Sequence, residues 1–207
     1  MASIGVEDGF VLPDWEAPID VEHAIQNTPA GAVIKGMFLA PMAAELRRRG
    51  QPLDGQRERY LGFQDYPLRE HMRLLVHCAR VFYPELSLRQ GLRKLGRGAV
   101  LAFLESTIGR VTWAAADGGP PALLQALARA YSVTMTGADV SVLELSATSA
   151  RLRFVSVYSY LDSHHVGIFE GALRSAGYRP TVRVKVISQA DADFALEFSE
   201  LSSVRPP

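Results

Sequence analysis

Two segments near the C-terminus alternate with a period of two, and they constrain the fold more than any other stretch. Val182, Val184 and Val186 interleave with Arg183 and Lys185. Phe194, Leu196 and Phe198 interleave with Ala195 and Glu197. Such alternation gives a strand one buried face and one wet face. A sheet of such strands needs an apolar layer over it, and a helix is the usual layer. The candidate cover is 163–176, capped by Asp162 or Ser163 and ended by Gly177.

Three earlier segments, 131–136, 139–145 and 151–158, also carry strand signals. Gly137-Ala138 and the run from Ser146 to Ser149 are short enough for hairpin connections. Upstream the period changes to that of helices. Asp20 caps a short helix over 20–25, and 33–39 reads as an extended lead-in. Pro41, three arginines and Gly50 bound a helix over 41–49. Residues 50–66 read as a loop. The clearest helix is 67–83, with Leu68, Met72, Leu75, Ala79 and Phe82 on one stripe and Arg69, Arg73, His77 and Arg80 opposite. Ser87 and Gln90 form a capping box for a helix over 87–95 that Gly96 should end, before another over 99–108 closed by Gly109. Residues 110–118, with Trp113, have no assignment. Pro120-Pro121 open a last helix to about 130.

The expected class is α+β. A helical lobe (20–130) packs on a four- to five-stranded, mainly antiparallel, twisted sheet (131–200) in the order β-β-β-α-β-β. Residues 1–19 read as an irregular acidic arm and 201–207 as a tail. At 207 residues one domain is expected, and 48% apolar with 21% charged residues excludes wholesale disorder.

No run approaches the roughly 18 apolar residues that a spanning helix needs. Acids stand at the N-terminus where a secretion signal has its basic region. The single cysteine, Cys78, allows no intrachain disulfide. A cytoplasmic location is the expectation. Net charge is zero but uneven. Residues 1–34 hold six acids and no lysine or arginine, whereas 35–110 hold fourteen basic residues against seven acids. This makes the acidic arm a candidate cover for a basic patch. Anion or nucleic-acid binding through 35–110 is an alternative function, although the balanced total argues against nucleic acid.

The residues show no Walker loop, nucleophile elbow or metal-ligand spacing. His164 and His165 are adjacent, so a helix would point them about 100° apart; a surface or capping role is expected. An enzymatic alternative draws on Cys78 with His71 or His77. Candidate anion-binding residues are Arg69, Arg73, Arg80 and Arg97. Gly167 and Gly171 lie four apart on the expected covering helix and cost about 1 kcal/mol each against alanine. They imply close packing, against the sheet or a partner chain.

TPAGAVIKGMFLAPM at 28–42, RKLGRGAVLAFLESTIGRV at 93–111, and AYSVTMTG followed by HVGIFEGALRSAGY within 130–178 resemble a family of paralogous proteins of unknown function expanded in myxobacteria. That family is more distantly similar to haem nitric-oxide-sensing domains, 4-vinyl-reductase-type sensor domains and the TRAPP trafficking subunits. The resemblance implies a cavity between helical lobe and sheet, a small apolar ligand or protein partner, a homodimer, and a regulatory rather than enzymatic role. TRAPP subunits hold a fatty chain on a helical cysteine, which makes Cys78, Leu74 and Phe82 the candidate ligand-binding residues. The haem domains carry Tyr-x-Ser-x-Arg. The nearest match here, Tyr158-Ser159-Tyr160, lacks the arginine, so no haem and no other cofactor is expected.

Overall fold

The computed structural model describes residues 8–105, 109–110 and 119–201. The end of the helix expected over 99–108, Trp113 with its neighbours, residues 1–7 and the tail from 202 lie outside them. The helices are α1 (Val21–Asn27), α2 (Ala40–Arg48), α3 (Leu68–Phe82), α4 (Leu88–Glu105), α5 (Pro120–Thr134) and α6 (Val166–Ser175). The strands are β1 (Val33–Lys35), β2 (Asp65–Pro67), β3 (Asp139–Leu145), β4 (Ser149–Val155), β5 (Tyr178–Val186) and β6 (Ala192–Glu200). The class is α+β.

The main sheet has the order β3-β4-β6-β5, with every pairing antiparallel. β6 returns to the centre beside β4 because α6 carries the chain over the sheet to the outer position of β5. The turns follow from local polar chemistry. Ser146 Oγ accepts from the amides of Thr148 and Ser149 at 3.2 and 2.9 Å, closing β3 to β4. Ser188 Oγ donates to Asp191 Oδ2 at 2.6 Å, closing β5 to β6.

Val182, Val184, Phe194, Leu196 and Phe198 are buried as their alternation predicts. Val186 is 52% exposed because β5 outruns its cover there. Phe154 of β4, Phe169 of α6 and Phe194 of β6 meet with ring centroids 4.8–5.7 Å apart. Fully burying such a side chain contributes about 1.5–3 kcal/mol. This aromatic triplet fills the seat between α6 and the sheet.

Three expectations fail. The strand over 131–136 does not exist, because α5 runs through Thr134. Its buried positions Leu123, Leu127, Ala130 and Thr134 recur at helical spacing, and packing overrides the β-branched local sequence. Gly96 does not end a helix: the segments expected over 87–95 and 99–108 join in one helix, α4. The loop over 50–66 contributes to β2, which pairs antiparallel with β1.

The continuity of α4 has a physical cause in its contact with α6. A Cβ on Gly96 would collide with the carbonyl oxygen of His164, and one on Gly167 with that of Arg93. A Cβ on Gly171 would lie 2.7 Å from the carbonyl oxygen of Arg97. The glycines thus let two helix backbones touch. The seam is with α4, not with the sheet or a partner chain. Across it, Glu170 accepts hydrogen bonds from Arg93 Nε at 2.7 Å and Arg97 Nε at 2.8 Å. Burial alone would raise the Glu170 carboxyl, but the two guanidiniums outweigh it and hold it below its ordinary value.

The N-terminal arm is irregular, with one bridge from Val11 to Val184. It lies against both halves. Arg89 donates to the Ala17 carbonyl at 2.8 Å, Arg93 stacks on Trp15 at 4.1 Å, and Arg151 pairs with Asp8 at 2.7 Å.

The seam makes a contrast between glycines measurable. Gly167→Ala must displace backbone, so it should destabilise by about 1–3 kcal/mol despite the better helix former. Gly98→Ala, on α4 with open space around it, should be neutral or stabilise by up to about 1 kcal/mol. Chemical denaturation of both variants checks this; equal effects would contradict the seam.

Candidate functional site

The cavity is walled by the helical lobe and floored by Ser159, His164, His165 and Ile168 of the sheet half, but it does not reach the main sheet itself. No residue of β3, β4, β5 or β6 lines it, because the aromatic triplet fills that space. Its volume is about 320 Å³, near the small end of ordinary ligand pockets. Walls come from the 3-10 turn Gly36–Phe38 and from α2, α3, α4 and α5. Met37, Phe38, Leu75, Val100 and Leu127 make them apolar. The exposed lining residues, Pro41, Lys94 and Gly98, mark the mouth.

The floor is different in chemistry. After Tyr160, whose φ is +48°, Leu161–His165 form a π-helical turn leading into α6. Such turns are rare and recur at functional sites. The wider turn carries both His164 and His165 inside, 5% and 2% exposed, which corrects the expected surface role. His71 of α3, 4% exposed, meets His164 edge to face at 6.2 Å. His164 and His165 meet at 5.5 Å. Tyr131 and Ser159 complete this floor. Phe154 touches both Tyr131 and His165, at 5.0 and 5.5 Å, so the floor rests directly on the sheet core.

Among the described residues, seven buried side-chain polar atoms lack a hydrogen-bond partner. Six belong to residues of this floor: Nδ1 of His71, His164 and His165, His165 Nε2, Tyr131 Oη and Ser159 Oγ. An unsatisfied buried group costs about 1–3 kcal/mol, so their concentration at one cavity is a signal of function. Burial lowers His71 to about 3, with His164 adding to the effect, and lowers His164 to about 4. His165 is held well below its ordinary value by burial and then by the other two rings. All three imidazoles are neutral at neutral pH, each with one donor and one acceptor.

The residues singled out from the sequence are distributed differently. Phe82 lines the cavity; Cys78 and Leu74, both buried, do not. Burial pushes the Cys78 thiol up to about 12. His71 stands two turns away on the same helix, about 10 Å along the axis, and His77 meets the Gln51 carbonyl oxygen at 3.0 Å. Neither histidine forms a dyad with the thiol. Cys78 should therefore resist alkylation at neutral pH until the chain unfolds, which mass spectrometry after iodoacetamide treatment reads. Fast labelling of folded protein would contradict this.

The four arginines are not gathered. Arg69 donates to the carbonyls of Thr28 and Gln26 at the C-terminal end of α1, at 2.7 and 2.8 Å, and Arg97 holds Glu170. Arg73 and Arg80 stand exposed on α3. Gly167 and Gly171 are taken up by α4. Tyr131, Ser159 and the histidine pair escaped as site residues because nothing in the sequence marks a π turn.

No group of three or more His, Cys, Asp or Glu among the described residues is placed to hold a metal ion. The haem of the sensing domains named above needs an axial base and cationic partners for its propionates. The floor could offer the base. The described lining offers one cation, Lys94, already 4.8 Å over the Tyr83 ring, and one acid, Glu45. The residues present do not fit a haem.

Solved structures with this architecture define the class. An H-NOX protein from K. algicida, in the Fe(II) unliganded state, is 13% identical with a TM-score of 0.59, over 81% of this chain and 97% of that one. An H-NOX protein from S. oneidensis in the Fe(II)NO state is 10% identical, with a TM-score of 0.55, over 81% and 100%. An oxygen-binding H-NOX domain related to soluble guanylate cyclases is 13% identical, with a TM-score of 0.55, over 80% and 89%. The chain has an H-NOX-like fold; identities this low show the fold alone. Residues 29–199 match the family described as protein of unknown function DUF2378, and the chain belongs to that family. No curated protein matches it. No helix among the described residues is long and apolar enough to cross a membrane.

The neutral histidines carry a pH signature. Their folded values lie below the ordinary value of about 6.5. Their contribution to stability is therefore complete above that pH and is lost as pH falls toward about 3 and 4 for His71 and His164. Each ring adds a slope of at most about 1.4 kcal/mol per pH unit. Denaturation between about pH 7 and about pH 5 should show stability falling with pH, and His71→Gln should flatten the slope by up to one proton. An unchanged slope would contradict the burial of a neutral ring.

Proposed function

We propose that this protein is a non-enzymatic sensory module whose helical lobe holds a small, mainly apolar ligand. The observation that carries the reading is the cavity itself: apolar walls around a floor where unpartnered buried polar groups are concentrated. Few convergent polar groups in an apolar pocket are the usual build of a ligand site. The H-NOX-like fold supports the reading by analogy of architecture. The neighbours' iron, NO and oxygen are properties of those proteins. The arginines of 35–110 favour the anion-binding alternative less, since several are committed to carbonyls or to Glu170. The dispersed enzyme site has no assembled dyad behind it.

A homodimer remains part of the proposal, without the glycine face. Pairing through the outer edge of β3, which has no neighbour in the sheet order among the described residues, is one backbone-level means open to it. Sedimentation equilibrium reads this directly.

Ligand binding is tested with N-phenylnaphthylamine, an uncharged apolar fluorophore. Wild type should enhance its emission saturably. Ala99→Trp, at a half-buried lining position, should weaken binding at least about tenfold, or about 1.4 kcal/mol, while leaving the melting temperature close to wild type. No saturable binding, or unaltered binding by the variant, would overturn the proposal.

A further inference from the structure

The floor says more about the ligand than the walls do. It gathers three imidazoles, a phenol and a hydroxyl from four separate parts of the chain. These are His71 on α3, Tyr131 on α5, Ser159 in the loop after β4, and His164 and His165 on the π turn. Each is a hydrogen-bonding group of the neutral kind. No arginine lines the cavity among the described residues. Its charged lining residues are committed elsewhere: Glu45 accepts from Arg48 at 2.6 and 2.8 Å and from Arg49 at 2.7 Å, and Lys94 lies over Tyr83. The groups that bear on the three rings electrostatically are the rings themselves.

We propose that the cavity selects an uncharged amphiphile: an aliphatic or aromatic body against the helices, and a neutral polar head, able both to donate and to accept hydrogen bonds, against His71, His164, His165, Tyr131 and Ser159. The inference rests on the ligand-binding reading above and deepens it. The chemistry that recognises the head is one of unsatisfied neutral donors and acceptors. An ionised head would bring a charge into a low-dielectric site with no counter-charge, which costs far more than a hydrogen bond returns. A neutral head such as an amide or alcohol supplies partners to groups that otherwise have none. Imidazoles can also accept a proton to meet a carboxylate, but burial opposes the charge on each of these rings, and the neighbouring imidazoles add to this for His71 and His165.

The test uses calorimetry on the full folded chain with four probes of matched chain length: octanamide, 1-octanol, octanoate and octylammonium. Near neutral pH the amide and alcohol should bind at least about tenfold more tightly than either ion. Tyr131→Phe and Ser159→Ala each remove one unpartnered hydroxyl, so folding stability should hold. Each should weaken the amide by about three- to tenfold, the size of one neutral hydrogen bond, and weaken the amide more than it weakens N-phenylnaphthylamine. Octanoate or octylammonium binding as tightly as the amide would overturn the head-group assignment and leave the cavity reading standing. So would hydroxyl variants that bind the amide like wild type. Failure of all four probes and of the fluorophore would overturn both.

Discussion

The close contact of α4 with α6 is the constraint on which the rest depends. Glycines on both helices put backbone against backbone, with Gly96 under the His164 carbonyl and Gly167 under that of Arg93. That contact fixes the end of the π turn, and the π turn fixes the two histidines. Glu170 spans the same seam to Arg93 and Arg97. A buried carboxylate held by two guanidiniums adds directional bonds to a contact that is otherwise only van der Waals. The lobe is thereby locked to the element that covers the sheet.

The sheet serves as a base more than as a wall. Phe154, Phe169 and Phe194 fill the space that a cavity between layers would occupy, and they support Tyr131 and His165 from below. Packed rings connect the cavity floor to the covering helix, His165 through Phe154 to Phe169. A head group seated on His164 and His165 acts on residues one turn or less from the start of α6. Cavity floor, covering helix and sheet core thus form one continuous contact network.

Much of the architecture was legible in the sequence because period-two and period-3.6 patterns report burial directly. The apolar faces of β5 and β6, the stripe of α3 and the covering helix follow from spacing, whereas Ala195, on the expected wet face of the central strand β6, is buried. Errors arose where tertiary contact overrides local preference. Gly96 looks like a stop until a second backbone needs its missing Cβ. The residues from Tyr131 to Thr134 look like a strand until Leu127, Ala130 and Thr134 are seen on one helical face. The candidate site was less legible. His71 pairs with Cys78 only in sequence; the fold turns it to the cavity floor instead. An ordinary helix would separate His164 and His165, whereas the π turn carries both inward. Tyr131 and Ser159 carry no local signal at all, since their common feature is a missing partner, which exists only in three dimensions.

The central claim is that three imidazoles are neutral and buried at the floor of a ligand cavity. Long-range proton–nitrogen NMR of the histidine rings tests it most directly. The account predicts that three of the five rings stay neutral as pH falls from about 7 to about 5, well past the ordinary histidine value. It also predicts that the nitrogens of those same three rings shift when octanamide is added. Five rings titrating near about pH 6.5, or three neutral rings indifferent to the amide, would contradict it.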